Sequence, residues 1–213
     1  MEKIKKITKL TNTPYVNLYE LDARNTKGKP FSYFLASRIK QVENLKINTK
    51  KNKADGVLIY SVYGENKDKL VLVKQYRYTI DDYIYEFPAG LVEEREDFKQ
   101  AGIRELKEET GLDLQVVNCH EMYQRPQFTT IGMTDESCGT IYGYASGNPT
   151  IKGLEASEEL EVVLVDRTEA ARILKEEKIA IMCAYMLMHF INTTGDPLAF
   201  LKDSEDEHDY RNK

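Results

Sequence analysis

The reading of this chain turns on one stretch. Glu86-Phe87-Pro88-Ala89-Gly90-Leu91-Val92-Glu93-Glu94-Arg95-Glu96 runs into Asp97-Phe98-Lys99-Gln100-Ala101-Gly102-Ile103-Arg104-Glu105-Leu106-Lys107-Glu108-Glu109-Thr110-Gly111-Leu112. The spacing predicts a helix from near Asp97 to Thr110, stopped at Gly111 as a C-terminal cap. On a wheel of about 100° per residue, Glu105, Glu108 and Glu109 share a half-circle with Phe98, Ala101, Gly102 and Leu106. Helices normally bury their apolar stripe and solvate their charges. Here the acids border the apolar side, where they repel one another and lose hydration. Arg104, four residues before Glu108, is the local cation. Two readings remain open on wheel geometry alone. One is a solvated acidic helix with i,i+4 ion pairs; the other is a carboxylate set for a hard divalent cation shared with substrate phosphates.

Taken together, Gly90, Glu96, Arg104-Glu105, Glu108-Glu109 and Gly111, with aliphatic Leu106 and Leu112, match the Nudix box at every specified position. The chain therefore resembles the Nudix hydrolases. The resemblance implies a loop–helix–loop in which Glu105, Glu108 and Glu109, with the backbone carbonyl of Ala89, bind Mg²⁺ or Mn²⁺. Arg104 would orient the glutamates and Glu96 would brace the loop at the helix start. Gly90 would permit a close backbone approach, a role suited to a residue without Cβ. Cations at such a site neutralise a diphosphate and activate water.

Working outward, Glu86-Phe87-Pro88-Ala89-Gly90 and Gln75-Tyr76-Arg77 resemble the ADP-ribose pyrophosphatase and nucleoside diphosphate sugar branch of that family. Asn17-Leu18-Tyr19-Glu20 through Ala36-Ser37-Arg38 is similar to the small β region with which those enzymes dimerise and complete each other's sites, which makes Arg38 a substrate-binding candidate. Arg77 is a second, through bidentate contact with a phosphate or ribose. Tyr76 and Tyr78 can stack on a base or pack a sheet face. Glu158 corresponds best to the further loop glutamate of the family, with Glu155 and Glu159 as rivals; Glu105, Glu108 and Glu158 are each eligible as the general base. One departure is the loop Phe128 to Glu136, where Ile131 stands in place of a proline.

The flanks read as strands and helices in irregular order: strands at Tyr15–Asp22, Phe31–Ile39, Gly56–Tyr63, Leu70–Tyr78, Tyr83–Phe87, Leu112–Met122, Ser137–Tyr144 and Leu160–Val165, with helices at Glu169–Glu177 and Ile179–Asn192. The expected class is α/β, a Nudix-type α/β/α sandwich with a mixed sheet and a small N-terminal antiparallel β region. The expected divisions are residues 1–53 (a dimerisation element), 54–200 (the hydrolase domain) and 201–213 (a charged tail).

Across 213 residues, 41% hydrophobic and 31% charged is an ordinary globular balance. A net charge of -5 argues against nonspecific nucleic-acid binding. Cys119, Cys138 and Cys183 lack zinc or disulfide spacing and read as reduced thiols. The lysine-rich residues 1–10 lack a signal peptide's apolar stretch. The apolar run Ile179–Ile191 is short of the roughly 20 residues that span a bilayer. A cytoplasmic homodimer acting on a small nucleotide, without nucleic acid or membrane as partner, is expected. His120, His189 and His208 have no ligand spacing.

The leading functional reading is metal-dependent hydrolysis of ADP-ribose, or a related nucleoside diphosphate sugar, to a nucleoside monophosphate and a sugar phosphate. Alternatives in the same class are a dinucleotide, GDP-mannose or a nucleoside triphosphate. From other classes come a nucleotide sensor without turnover and, more distantly, an interaction protein using Tyr185–Phe190.

Overall fold

Strand alternation builds the N-terminal sheet of the computed structural model, which describes residues 3–154 and 158–202. Strands β1 (Ile4–Lys9), β2 (Asn17–Arg24) and β3 (Pro30–Ser37) pair antiparallel in that order. Along β2, Asn17, Tyr19, Leu21 and Ala23 are buried and the residues between them are not, the period of two that a one-sided sheet imposes. The β2–β3 turn is closed by Asn25, whose side chain accepts from the N–H groups of Lys27 and Lys29. Tyr19, Leu21, Leu35 and Leu45 form the core of this sheet, joined by Ile4, Ile7, Val42 and Ile47.

Strand β1 is absent from the sequence expectation because its apolar residues are three apart, not two. The register explains this: Ile4 faces Ala23 and Ile7 faces Leu21, with a bulge between Ile4 and Lys6. The extra residue lets both isoleucines reach one face.

The described residues fall into two compact units, one drawn from 3–56 and 126–138, the other from 57–125, 139–154 and 158–202. The first also holds the one-turn helix α1 (Lys46–Thr49). Its later segment, which contains the departing loop, is pinned to β3: Ala36 N–H donates to Met133 O at 2.9 Å and Tyr33 Oη to Gly132 O at 2.6 Å.

In the second unit, β4 (Gly56–Tyr63), β5 (Lys69–Arg77), β6 (Asp82–Glu86) and β7 (Ala89–Leu91) precede α2 (Phe98–Thr110). Then come β8 (Asp113–Val116), the helical turn α3 (Glu121–Gln124) and the two-residue β9 (Gln127–Phe128), which lies in the first unit. Strands β10 (Ser137–Ser146) and β11 (Leu160–Val165) and helices α4 (Arg167–Glu176) and α5 (Ile181–Asn192) follow. The sheet order is β11-β5-β4-β10-β8, with β6 on β5 and β7 on β4.

Alternation on the central strands feeds two cores. Val57, Ile59, Val71 and Ile141 pack with Ala101 and Leu106 of α2. Tyr60, Val62, Leu70, Leu72 and Tyr142 pack with Ala170 and Ile173 of α4 and Cys183, Leu187 and Phe190 of α5. Each fully buried side chain of this kind contributes roughly 1.5–3 kcal/mol. The layers are therefore helix, sheet, helix, the expected α/β/α sandwich with its mixed sheet and small antiparallel sheet.

The strand expected over Leu112–Met122 ends at Val116. Its last residues form α3, capped by His120, whose Nδ1 accepts from Met122 N–H at 3.1 Å. All three cysteines are free thiols. Among the described residues no helix is long and apolar enough to cross a membrane. Of the expected tail, residues 203–213 lie outside the described residues, as does Glu155.

Candidate active site

The acidic helix starts where its sequence says it should. Asp97 Oδ1 accepts from Lys99 N–H at 2.8 Å and Gln100 N–H at 3.0 Å, and Gly111 closes the helix at φ +71°. One face of α2 is then fixed against the sheet by Ala101, Gly102, Leu106 and Thr110, and Glu109 is carried in with them at 2% exposure. Glu105 is half-buried and Glu108 exposed. The three acids that the wheel sets together on the apolar border thus differ in burial, Glu109 most and Glu108 least.

Arg104 organises the cluster. Its Nε and Nη2 hold the two oxygens of Glu96 at 3.1 and 3.0 Å, and Nη2 also reaches Leu91 O at 3.1 Å. Its Nη1 bridges Glu105 and Glu108, each at 2.9 Å. The bond to Arg104 holds the Glu96 carboxyl below the usual carboxylate range, and the same bonds push the guanidinium pKa up. Arg104 thus links Glu96 to Glu105 and Glu108 through one guanidinium.

The other two acids have the opposite balance. Burial first, then repulsion from Glu105 and Glu158, pushes the Glu109 carboxyl well up, against a bond from Ala89 N–H at 3.2 Å and the nearby Arg77 charge. Burial also raises Glu105, offset by Arg104 and aided by Glu108 and Glu158. Glu158 therefore stands within electrostatic reach of both. The loop that leads to it is tied to the helix end, with Thr150 N–H donating to Thr110 O at 2.8 Å and Gly153 lying against the backbone of Glu108.

Strand β7 delivers Ala89 and Gly90 beside these acids, anchored by Ile59 N–H on Pro88 O at 2.9 Å. A Cβ on Gly90 would lie 1.9 Å from Glu105 Cδ and 2.0 Å from Oε1. The close approach expected at Gly90 is that of the Glu105 carboxylate itself.

Arg77 and Tyr76 part company. Side chains alternate across a strand, and Leu70 and Leu72 belong to the α4/α5 core while Val71 belongs to the α2 core. Arg77 consequently shares the α2 face, where its Nε and Nη2 fork onto Glu86 Oε2 at 2.8 and 2.5 Å. Tyr76 is on the opposite face, edge-on to Tyr78 and Tyr83 with centroids 5.1 and 5.5 Å apart, its hydroxyl bonded to Asp81. Glu159 bonds the Tyr83 hydroxyl on that side. Arg38 belongs to the first unit, paired with Glu136 at 2.8 Å. Glu86 was not singled out from the sequence; its parity with Arg77 across the β5–β6 ladder was the available signal.

The potential ligands are all oxygen: carboxylates of Glu105, Glu108, Glu109 and Glu158 and the carbonyl of Ala89. Such a set suits hard divalent cations. The residues fit one. Glu109 is buried with a single backbone N–H and no ion pair among the described residues, an arrangement that is costly for a lone charge and relieved by a cation. Among the described residues no three His, Cys, Asp or Glu side chains are gathered to ligate an ion as they stand. Arg104 holds Glu105 and Glu108 to itself, so ligation calls for rotation of those side chains.

The model of the NUDIX domain family matches residues 52–184. The chain is 40% identical over 80 residues to the ADP-sugar pyrophosphatase of Mus musculus, covering 36% of this chain and 37% of that protein. It is 34% identical over 119 residues to the methanol dehydrogenase activator of Bacillus methanolicus, covering 54% and 60%. The chain thus spans less than two thirds of the length of either relative. Among solved structures, the crystal structure of an ADP compounds hydrolase superposes with a TM-score of 0.55 at 17% identity, over 81% of this chain and 82% of that one, a likeness of fold.

Proposed function

The chain belongs to the NUDIX domain family, and from that premise we propose that it hydrolyses the diphosphate linkage of ADP-ribose or a related nucleoside diphosphate sugar. The products are a nucleoside monophosphate and a sugar phosphate. The observation that carries this reading is the convergence of Glu105, Glu109 and Glu158 with Ala89 and Arg77 on the α2 face of the sheet. Likeness to an ADP-sugar pyrophosphatase supports the substrate class.

Glu105, Glu108, Glu109 and the Ala89 carbonyl would hold the ion, with Glu158 beside them; Mg²⁺ is the proposed metal and Mn²⁺ its substitute. When bound, such an ion neutralises phosphate charge and lowers the pKa of water. The chain's own groups do the rest. Arg77, steadied by Glu86, presents a guanidinium to a phosphate or ribose. Arg104, itself held by Glu96, gathers Glu105 and Glu108 beside each other. Glu105, Glu108 and Glu158 are each eligible as the general base that takes a proton from the attacking water.

A homodimer formed through the N-terminal sheet is part of the proposal. Strand β3 is an edge strand exposing Phe31, Tyr33 and Phe34, the kind of apolar edge that proteins cover. Arg38 would then serve a site completed by two copies. A cytoplasmic location agrees with the three free thiols.

The test is a product assay by mass spectrometry in Mg²⁺, over ADP-ribose, other nucleoside diphosphate sugars, dinucleotides and triphosphates. AMP and ribose 5-phosphate from ADP-ribose, lost in Glu109→Gln, are expected. Silence of the wild type on the whole panel sinks the proposal. A second reading, an accessory role toward a dehydrogenase, rests on the likeness to the Bacillus methanolicus activator. It predicts a faster dehydrogenase on addition of this protein, also in the Glu109→Gln form.

A further inference from the structure

The chain is acidic overall, yet between Lys3 and Lys53 it carries 13 Lys and Arg against 3 Asp and Glu. Two lysine-rich segments account for much of this, Lys3–Lys9 and Lys46–Lys53. The fold of the first unit brings them to one place. A groove of about 500 Å³ is lined by Lys3, Ile4, Lys5, Lys6 and Ile7 of β1 and by Val42, Ile47, Asn48 and Lys50 around α1.

Two properties of this groove define a ligand. Its rim is cationic: Lys3, Lys5, Lys6 and Lys50 are exposed, and among the described residues no acid lines the groove and none of the four lysines has an ion pair. Lysines that repel one another around a recess are stabilised by an anion. Its floor is aliphatic: Ile4, Ile7, Val42 and Ile47 are half-buried, and among the described residues no aromatic ring lines it on which a base could stack. The bulge in β1 creates the combination, since it turns Ile4 and Ile7 to the floor while leaving Lys5 and Lys6 at the rim. The remaining polar group, the Asn48 amide, donates to Val42 O at 2.6 Å and fixes the far wall.

We propose that this groove is a second binding site, for a soluble phosphate ester carrying an aliphatic chain. The lysines take the phosphate and the isoleucines take the chain. A volume of this size suits a small molecule, and a recessed aliphatic floor favours an amphiphile over a nucleic-acid strand, which would need stacking surfaces. The site lies on β1, the opposite edge of the sheet from β3.

The experiment is lysine acetylation of the 213-residue chain, mapped by mass spectrometry, with octyl phosphate, inorganic phosphate or octanol present. Octyl phosphate is expected to slow labelling several-fold at Lys3, Lys5, Lys6 and Lys50 and to leave Lys107 and Lys175 unchanged. Inorganic phosphate and octanol, each lacking one half of the ligand, are expected to protect little. A Lys5→Glu/Lys6→Glu variant should lose the protection with diphosphate hydrolysis unaltered. Absence of protection by octyl phosphate overturns the proposal. Equal protection by inorganic phosphate also overturns it, leaving only diffuse charge. Protection confined to phosphatidylglycerol vesicles or to an oligonucleotide assigns the groove to a membrane or a nucleic acid instead.

Discussion

Replacing Gly90 by alanine separates the positioning of the acids from the stability of the fold. The new Cβ would stand 1.9 Å from Glu105 Cδ, 2.0 Å from Oε1 and 2.4 Å from Cγ. Unstrained carbon contacts are about 3.5–4.0 Å, so the carboxyl group has to retreat by roughly 1.5 Å or more. All three atoms belong to a side chain that can rotate, so the backbone of β7 and α2 need not move. The cost in stability is a changed rotamer, roughly 0.5–1.5 kcal/mol, and the Arg104–Glu105 contact, at most about 1 kcal/mol for a partly exposed pair. Arg104 keeps Glu96, Glu108 and Leu91 O. Thermal unfolding should shift by only a few degrees in a domain of this size. Catalysis is expected to suffer far more, because a misplacement of about 1 Å can cost about 10²-fold. The assay pairs a melting curve with kcat/KM for ADP-ribose in Mg²⁺. A Gly90→Ala protein that melts normally and hydrolyses normally would refute the placing of Glu105 in the machinery.

Three further substitutions carry different signatures. Glu109→Gln should lower kcat by about 10²-fold or more while making the metal-free protein more stable by roughly 1 kcal/mol, because it removes a buried charge. The raised Glu109 carboxyl pKa means that its contribution to stability is present below the ordinary value of 4.5 and is lost as pH rises; the variant's advantage in urea unfolding should therefore grow from acid to neutral pH, and a variant less stable at neutral pH would contradict this. Glu96→Gln has the reverse sign: Glu96 is held below 4.5, so its stabilisation is present above that pH and fades on acidification. The two proteins should differ by up to about 1 kcal/mol at pH 7 and converge in acid, which parallel melting curves would check. Gly102→Ala should place a Cβ 2.3 Å from Ile141 Cδ1 and 3.1 Å from Val57 Cγ2, costing about 1–3 kcal/mol of overpacking less about 1 kcal/mol of helix propensity. Its specific activity at low temperature should match the wild type, since nothing at the acids moves.

Much of this was legible because the signals are local. Asp97 and Gly111 bound α2 by capping chemistry, and the period of the helix sets Glu105, Glu108 and Glu109 along its apolar border without tertiary information. Strands β4, β5 and β11 declare themselves by continuous aliphatic composition. What escaped depends on register or distant partners. The bulge at β1 hides its amphipathicity from a strict period of two. The end of β8 at Val116 depends on a cap supplied by His120. The loop around Ile131 is shaped by Tyr33 and Ala36, about a hundred residues away in sequence. Gln75-Tyr76-Arg77 reads as one motif, yet a strand cannot present neighbours to one side, and Tyr76 is turned away from the face that carries Arg77.

That last property makes β5 a parity device. Each inserted or deleted residue between Leu72 and Arg77 exchanges the two sides of the strand, sending the guanidinium toward α5 and a phenol toward Glu109. The same count governs β6, where Glu86 must keep step with Arg77. Length variation in a lineage carrying this scaffold is therefore expected to accumulate in the Gly64–Asp68 turn and to avoid, or occur in twos within, the span from Leu72 to Glu86. Within β5 and β6 insertional tolerance is expected to follow an odd–even rule, and a library of single-codon insertions would display it as a comb.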